Sequence, residues 1–360
     1  MRAALALATR GLGNVWPNPS VGCVVVGEGR VVGRGWTQPG GRPHAETEAL
    51  KRAGAAARGA AVYVTLEPCC HWGRTPPCTD ALVAAGVARV VVAMRDPDPR
   101  VDGEGLARLR AAGIAVEEGL LAEEAARLNL GFLKRLREGV PMVTLKLATS
   151  LDGRIATAAK ESRWITGAEA RRAAHALRAR HDAILVGSGT VIDDDPDLTC
   201  RLPGGVKVPA PRVVADARLR TPASARLVRS AREVPTIIAT VAGHPAAALA
   251  PFRDAGAEVL ELPGSGEGIA LRPLLEALAA RGITRLLAEG GSGIAASLLR
   301  EGLADRLAWF HAPLVIGGDG IAAAYPLPLP ELAKAPKFRR VSVRPLGADL
   351  LSEYERPRDA

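Results

Sequence analysis

One histidine, two cysteines and a glutamate carry the chemistry this chain can do most directly. His44-Ala45-Glu46 is followed by Pro68-Cys69-Cys70-His71-Trp72-Gly73-Arg74-Thr75-Pro76-Pro77-Cys78. An imidazole and two thiolates, from His44, Cys69 and Cys78, make a zinc site with three protein ligands. Its fourth position stays open to water, the pattern of a catalytic zinc rather than a structural one. Glu46, two residues past His44, is placed to reach that water without binding the metal. The set suits hydrolysis by a metal-activated water, with Glu46 carrying protons.

The plain alternative for a cysteine is a small buried hydrophobe. Cys23, in a valine run, and Cys200, in a loop, fit it. The other three of the five cysteines crowd into ten residues beside two histidines. Adjacent side chains rarely reach one metal together, so Cys70 reads as a wall residue. Zinc deaminases of nucleobases carry H-x-E and P-C-x-x-C, whereas Cys69 and Cys78 here stand nine positions apart.

A chain of 360 residues is long enough for two domains, each with its own core. No apolar run approaches the roughly 20 residues of a membrane span. Met1 to Ala8 reads as a short amphipathic helix rather than a leader, since Thr9, Arg10 and Pro17 follow without a cleavage region. Thiols in a metal motif, with no regular cysteine framework, point to a reducing, cytoplasmic setting. The net charge of +9 suggests anionic partners. Because the arginines are scattered and aromatics make up 3% of residues, phosphorylated small ligands fit better than nucleic acid.

The elements that must position these groups alternate between strand and helix, so the class is a layered α/β protein. Helices are expected over 3–12, 45–57, 79–85, 103–112 and 120–137. Strands are expected over 21–26, 31–36, 61–66, 87–94 and 114–117. His44 and Cys78 then sit at the starts of two helices, whose N-termini favour thiolate and anion. Gly139-Val140-Pro141 marks a boundary between domains 1–140 and 141–360. The second domain shows strands at 142–148, 183–186, 212–215, 236–239, 285–289 and 307–316, helices at 271–281 and 294–301, and a terminal hairpin and tail. Gly187 to Thr190 reads as a loop, and Glu289-Gly290-Gly291-Ser292-Gly293 as a strand-to-helix turn. That turn is either a tight connection or a phosphate cradle.

Taken together, the motifs resemble a known family. Pro17-Asn18-Pro19-Ser20-Val21-Gly22, His44-Ala45-Glu46 and the long-spaced Cys69 to Cys78 run resemble the deaminase half of the bifunctional riboflavin-biosynthesis deaminase/reductases. Leu145 to Gly153, Ser162 to Gly167, Gly187 to Val191, Asp194 to Thr199 and Glu289-Gly290-Gly291 resemble the reductase half, in the family's order. The resemblance implies a cytidine-deaminase-like α/β/α domain followed by a dihydrofolate-reductase-like domain. It implies zinc-dependent deamination of 2,5-diamino-6-(5-phosphoribosylamino)pyrimidin-4(3H)-one, then NADPH-dependent reduction of the ribosyl chain to ribityl, by a homo-oligomer, either a dimer or a tetramer.

The resemblance also implies residue roles. Asn18, His71 and Arg74 would hold the deaminase substrate. In the second domain Ala148, Trp164, Thr190, Asp194 and Gly291, Ser292, Gly293, Ile294, Ala295, Ala296 and Ser297, taken as one loop, would contact the cofactor. Ser162, Arg178, Leu198, Arg201 and Glu289 would contact the substrate, Arg178 and Arg201 as bidentate phosphate donors, with Lys146 catalytic beside the reacting sugar. Trp164, at a helix-opening Trp-Ile-Thr, reads equally as a core aromatic. Asp194 stands in a run of three aspartates from which sequence cannot choose, and Cys70 stands where the family more often has Ser.

Two other readings stay open. One keeps the deaminase and makes the second domain inactive or differently specific, against which the set Lys146, Ser162, Trp164 and Glu289-Gly290-Gly291 speaks. The other is a zinc-stapled RNA-binding or regulatory protein with no catalysis.

Overall fold

The computed structural model describes residues 1–204, 208–266 and 268–357, and the chain divides into two compact units, Met1–Gly139 and Val140–Ala360. Residues 358–360, the end of the expected second domain, lie outside the described residues.

The first unit begins α1 (Arg2–Ala8), β1 (Gly22–Gly27), β2 (Arg30–Trp36), α2 (Ala45–Ala53), β3 (Ala61–Val64) and α3 (Cys78–Ala85). It continues β4 (Arg89–Val92), α4 (Glu104–Ala111), β5 (Ala115–Glu118), α5 (Ala122–Leu128) and α6 (Leu130–Glu138). The sheet order is β2-β1-β3-β4-β5, with β1 antiparallel to both neighbours and β3, β4 and β5 parallel. Cys23, Val25, Val62, Val64, Val90 and Val92 share one face and meet Ala45, Ala49, Leu82 and Leu106 of α2, α3 and α4. The opposite face receives α1, where a Cβ on Gly22 would overlap the Ala4 carbonyl.

Two more glycines set how closely α2 lies on the sheet. A Cβ at Gly33 would come within 2.2 Å of the Ala49 oxygen, and one at Gly35 within 2.1 Å of the Ala45 oxygen. Their alternation in Gly33-Arg34-Gly35 is the two-residue period of a strand facing a helix backbone.

The helix expected over 120–137 is two helices. Asn129 lies between them, and its side chain accepts the Ser20 N–H at 2.8 Å and donates to the Ser20 carbonyl at 3.0 Å. An amide used this way ties the helix break to the Pro17–Ser20 turn. The first helix stops at Ala8 and tightens into a 3-10 turn, Thr9–Gly11.

The second unit begins β6 (Met142–Thr149), β7 (Arg154–Ala156), α7 (Ala168–Arg178), β8 (Ala183–Gly187), α8 (Ser188–Asp194), β9 (Arg212–Ala215), α9 (Arg226–Arg229) and β10 (Thr236–Val241). Next come α10 (Ala246–Asp254), β11 (Glu258–Leu262), the short β12 (Gly264–Ser265) and β13 (Gly268–Ile269), and α11 (Leu271–Ala280). The unit closes with β14 (Arg285–Ala288), α12 (Ser292–Arg300), β15 (Arg306–His311), β16 (Ile321–Ala322), β17 (Arg339–Leu346) and β18 (Asp349–Glu355). Nine strands form one sheet in the order β11-β10-β9-β8-β14-β6-β15-β18-β17, parallel from β11 through β15 and antiparallel thereafter. The parallel part brings the C-terminal ends of β9, β8, β14 and β6 to one edge, where α/β sheets bind ligands.

Several boundaries differ from the sequence reading. Gly187 to Thr190 is not a loop, since α8 starts at Ser188. Gly291 to Ser297 is not one loop either. Gly291 caps α12 and Ser292 to Ser297 are its first turns, so Ser292, Ala295 and Ala296 are buried at helical spacing. The strand expected to Ile316 ends at His311, because Pro313 has no N–H to give the ladder. The helices α7 and α10, with their alanines and arginines, lacked a clean apolar stripe to announce them.

Two buried polar groups brace this unit. Arg212 donates to the carbonyls of Asp197, Leu227, Ser230 and Val234. His181 donates Nδ1–H to the Leu177 carbonyl at 2.7 Å, and its Nε2 accepts the Thr144 hydroxyl at 2.9 Å. The neutral ring satisfies both nitrogens. Burial, assisted by the Arg285 charge, lowers its pKa to about 3.

Gly35→Val is expected to lower the thermal midpoint of the full chain by several degrees, from roughly 1–3 kcal/mol of overpacking. An unchanged midpoint in calorimetry would mean that α2 is free to shift. The depressed pKa of His181 means that the unfolded chain takes up a proton below about pH 6.5 that the folded chain refuses. Stability should therefore fall as pH drops from 6.5, by up to about 1.4 kcal/mol per unit. Urea titrations between pH 7.5 and 5 should show a shallower fall for His181→Gln.

Candidate active sites

The first site forms where β3 ends and two helices begin. His44 is the N-cap residue of α2, Cys78 is the first residue of α3, and Cys69 follows β3 by five residues. Their ligand atoms lie within 4.8 Å of one another. His44 Nδ1 is 3.3 Å from Cys78 Sγ and 3.6 Å from Cys69 Sγ. Zinc bonds of about 2.0 Å to nitrogen and 2.3 Å to sulfur, at tetrahedral angles, put N and S about 3.5 Å apart. The donor set and its spacing fit zinc, with Nδ1 as the imidazole ligand.

Charge in this pocket favours a bound cation. The Cys78 hydrogen bond to Cys69, with His44 behind it, holds the Cys69 thiol well below its ordinary range. The Cys78 N–H donates to Cys69 Sγ at 3.3 Å. Glu46 lies in the first turn of α2 and is buried among His44, Cys69 and Cys78. Burial raises its carboxyl to about 7.

Sequence reasoning missed the group that holds this corner together. Glu67 is buried and accepts four backbone N–H groups, from Asp96 (3.2 Å), Gly103 (3.0 Å), Gly105 (3.0 Å) and Leu106 (3.3 Å). It anchors the start of α4 to the segment that carries Cys69. A Cβ on Gly105 would meet the Pro68 carbonyl at 2.2 Å, so the contact is as close as a glycine allows. The only sequence signal was a lone carboxylate after an apolar strand.

Of the other residues expected to hold the deaminase substrate, His71 and Arg74 lie on the loop between Cys69 and Cys78. Asn18 packs on Gly41, where a Cβ would overlap its amide. The Nδ1 of His71 is buried with no partner among the described residues, and the His71 charge acts on Asp98, which Arg100 pairs at 2.5 Å. Arg74 and Trp72 are exposed on the same loop. Cys70 Sγ turns away from the three ligands and donates to the Arg100 carbonyl at 3.6 Å.

The second site lies on the C-terminal edge of the nine-stranded sheet. Glu289 follows β14, and Arg178 ends α7. Nε and Nη2 of Arg178 reach the Glu289 carboxylate at 2.5 and 2.8 Å, and its Nη1 donates to the Thr199 carbonyl at 2.9 Å. The bidentate edge that sequence assigns to a phosphate is therefore turned on Glu289. A carboxylate so shielded from water needs a cation, and against the upward push of burial Arg178 keeps its pKa below the ordinary value. Arg201 is exposed, its nearest carboxylate Asp197 at 3.8 Å, and stays open to an anion.

Lys146 on β6 is lowered by burial, while the charges of Glu289 and Asp194 oppose that shift. Asp194 also pairs with Arg163 at 3.6 Å. Its neighbours are paired as well, Asp193 with Lys160 at 3.1 Å and Asp195 with Arg226 at 3.1 Å. Ala148 lies two residues on from Lys146, half-buried against α7. Ser162 accepts the Ile165 N–H at 3.1 Å, and Leu198 is buried with a left-handed backbone, φ +52°. Trp164 is neither a core aromatic nor a helix opener: it is 68% exposed, precedes α7 and has the Arg171 guanidinium 4.6 Å from its ring centre. The Gly291 N–H donates to Thr190 Oγ1 at 3.3 Å, which joins the start of α8 to the glycine turn before α12.

Comparison with known proteins follows the same division. Residues 1–94 match the cytidine and deoxycytidylate deaminase zinc-binding region, and residues 141–352 match the RibD C-terminal domain. The riboflavin biosynthesis protein RibD of Aquifex aeolicus is 43% identical over 99% of this chain and 97% of its own length. That of Escherichia coli is 43% identical over 97% and 96%. Among solved structures, Acinetobacter baumannii RibD (form 1) superposes with a TM-score of 0.89 at 38% identity, covering 99% of this chain and 98% of its own. A diaminohydroxyphosphoribosylaminopyrimidine deaminase/5-amino-6-(5-phosphoribosylamino)uracil reductase of Thermotoga maritima does so at 0.85 and 35%, covering 99% and 97%. Similarity of this degree, end to end and in both halves, means that the chain belongs to the RibD family of bifunctional riboflavin-biosynthesis deaminase/reductases.

Proposed function

We propose that unit 1 hydrolyses the 2-amino group of 2,5-diamino-6-(5-phosphoribosylamino)pyrimidin-4(3H)-one, and that unit 2 reduces the product's ribosyl chain with NADPH. The observation that carries the first step is the convergence of His44 Nδ1, Cys69 Sγ and Cys78 Sγ within 4.8 Å beside buried Glu46. Zinc, when bound to these three side chains, supplies the positive charge that makes a water acidic near neutral pH. Glu46 takes the proton this water loses and returns protons to the ring nitrogen and the departing amine, so ammonia leaves as oxygen enters. Asn18, His71 and Arg74 hold the ring and its phosphorylated substituent.

In unit 2 the nicotinamide, when bound, supplies the hydride. Lys146 donates a hydrogen bond to the sugar oxygen that gains a proton as the ribosyl ring opens. Its low-dielectric setting eases that transfer, and Glu289 and Asp194 keep it charged beforehand. Arg178 serves by holding Glu289, and Arg201 meets the phosphate with Ser162 and Leu198 beside it. The cofactor lies along Ala148, Trp164, Thr190, Asp194 and the turn from Gly291 into α12, whose N–H groups face an anion. The enzyme works on a small molecule in the cytoplasm as a homo-oligomer, without nucleic acid. Among the described residues no helix is long and apolar enough to cross a membrane.

A mass-spectrometric time course of the zinc-loaded protein with this substrate tests the reading. Loss of ammonia without NADPH, then a gain of two hydrogens only with it, is expected. Deamination that stops there would remove the reductase assignment, and no deamination with zinc bound would remove the substrate. Glu46→Gln should keep its zinc by elemental analysis and slow ammonia release by about 100-fold or more. A variant that retains most of its rate would exclude Glu46 as the proton carrier.

A further inference from the structure

The last turn of α7 grips the segment after α8 at three consecutive residues. Arg178 Nη1 donates to the Thr199 carbonyl at 2.9 Å, and the Cys200 thiol donates to the His175 carbonyl at 3.4 Å. The Arg201 N–H donates to His175 Nδ1 at 3.3 Å. His175 and Arg178 stand three positions apart, so both side chains leave α7 on the same face. At the other end of the segment Leu198 is buried, with its backbone left-handed.

The guanidinium of Arg201 has no comparable anchor. It is exposed and meets Asp197 at 3.8 Å, whereas Arg226 reaches the same carboxylate at 3.3 Å. What fixes Arg201 is therefore its backbone. A backbone N–H can only donate, so His175 Nδ1 must be without a proton. Burial and the charges of Arg178 and Arg201 lower the His175 pKa, against the Glu289 charge and the Thr199 carbonyl, which raise it. The ring is neutral at physiological pH, with its proton on Nε2.

We infer that His175 is a positioning residue of the reductase reaction, which through the Arg201 N–H aims the Arg201 guanidinium at the substrate's phosphate. The inference rests on the reading of Arg201 as the phosphate donor. His175 acts through Arg201, because its acceptor nitrogen is taken up by the chain. Arg178 does not replace Arg201 in this task, since its bidentate edge is on Glu289. With the backbone of Arg201 held beforehand, less of the segment remains to be ordered when the substrate arrives.

The test follows NADPH oxidation by the full-length protein, with the deaminated pyrimidine ribosyl phosphate supplied directly so that unit 1 is bypassed. His175→Leu should raise the substrate KM about 3- to 10-fold, with kcat and the KM for NADPH within about twofold of the wild type. His175→Gln should recover most of that change, because its amide oxygen accepts the same N–H. Arg201→Gln alone should raise the substrate KM about 10-fold or more, and His175→Leu added to it should change KM by less than about twofold. An unchanged KM in His175→Leu would overturn the inference. So would a Gln variant no better than the Leu one. An undiminished effect of His175→Leu in the Arg201→Gln protein would do the same, as the mark of a purely structural role. If Arg201→Gln keeps the wild-type KM, the phosphate reading of Arg201 fails and the inference with it. A wild type that oxidises no NADPH would overturn the reductase reading itself.

Discussion

The buried carboxylate of Glu67, with backbone N–H groups of four residues converging on it, is the interaction on which the deaminase corner depends. An ion without water is tolerable only where charge-assisted hydrogen bonds replace its hydration. Those donors come from the segment that leads into α4, so satisfying Glu67 also places that segment. Pro68 then packs on Gly105, and Cys69 emerges in a direction that no longer depends on loop entropy. Sulfur and nitrogen ligands already stand close to their metal-bound spacing. Little reorganisation would then be needed for the three side chains to hold a zinc ion, with Glu46 buried beside them.

The reductase site uses the same device with opposite partners. Arg178 and Glu289 neutralise each other at the end of the central strands, and Lys146 sits within the field of that pair and of Asp194. A buried ion pair is weak as a source of stability, since desolvation offsets the attraction. Its use here is positional, because it fixes the surroundings of the buried Lys146 amine. Both sites therefore rest on buried carboxylates, Glu67 and Glu289, that hold neighbouring segments and side chains in place.

Much of the local organisation was legible in sequence. The strand cores, the helix starts at Ala45 and Cys78 and the glycine turn at Gly290 all have physical signatures: apolar runs, flanking turns and spacing. The departures have reasons of equal kind. Asn129 interrupts a continuous helical pattern because its amide finds Ser20, 109 residues away in sequence. Trp164 is large and apolar, yet it stands in solvent beside Arg171. Arg178 looked free for a phosphate because the strand that brings Glu289 to it lies 111 residues further on.

By itself the sequence determined the reacting groups. The types and order of His44, Cys69 and Cys78 suit a metal ligand set and Glu46 suits a proton carrier, because softness, charge and basicity belong to side chains wherever they are placed. Tertiary structure alone decided which charges are spent on one another and which remain for ligands. Arg178 faces Glu289, Asp216 turns inward, the three aspartates from Asp193 to Asp195 each take a different cation, and Arg220 stays outward. Such pairings depend on burial and on contacts between residues distant in the chain, and the sheet order that creates them is a property of the packed fold.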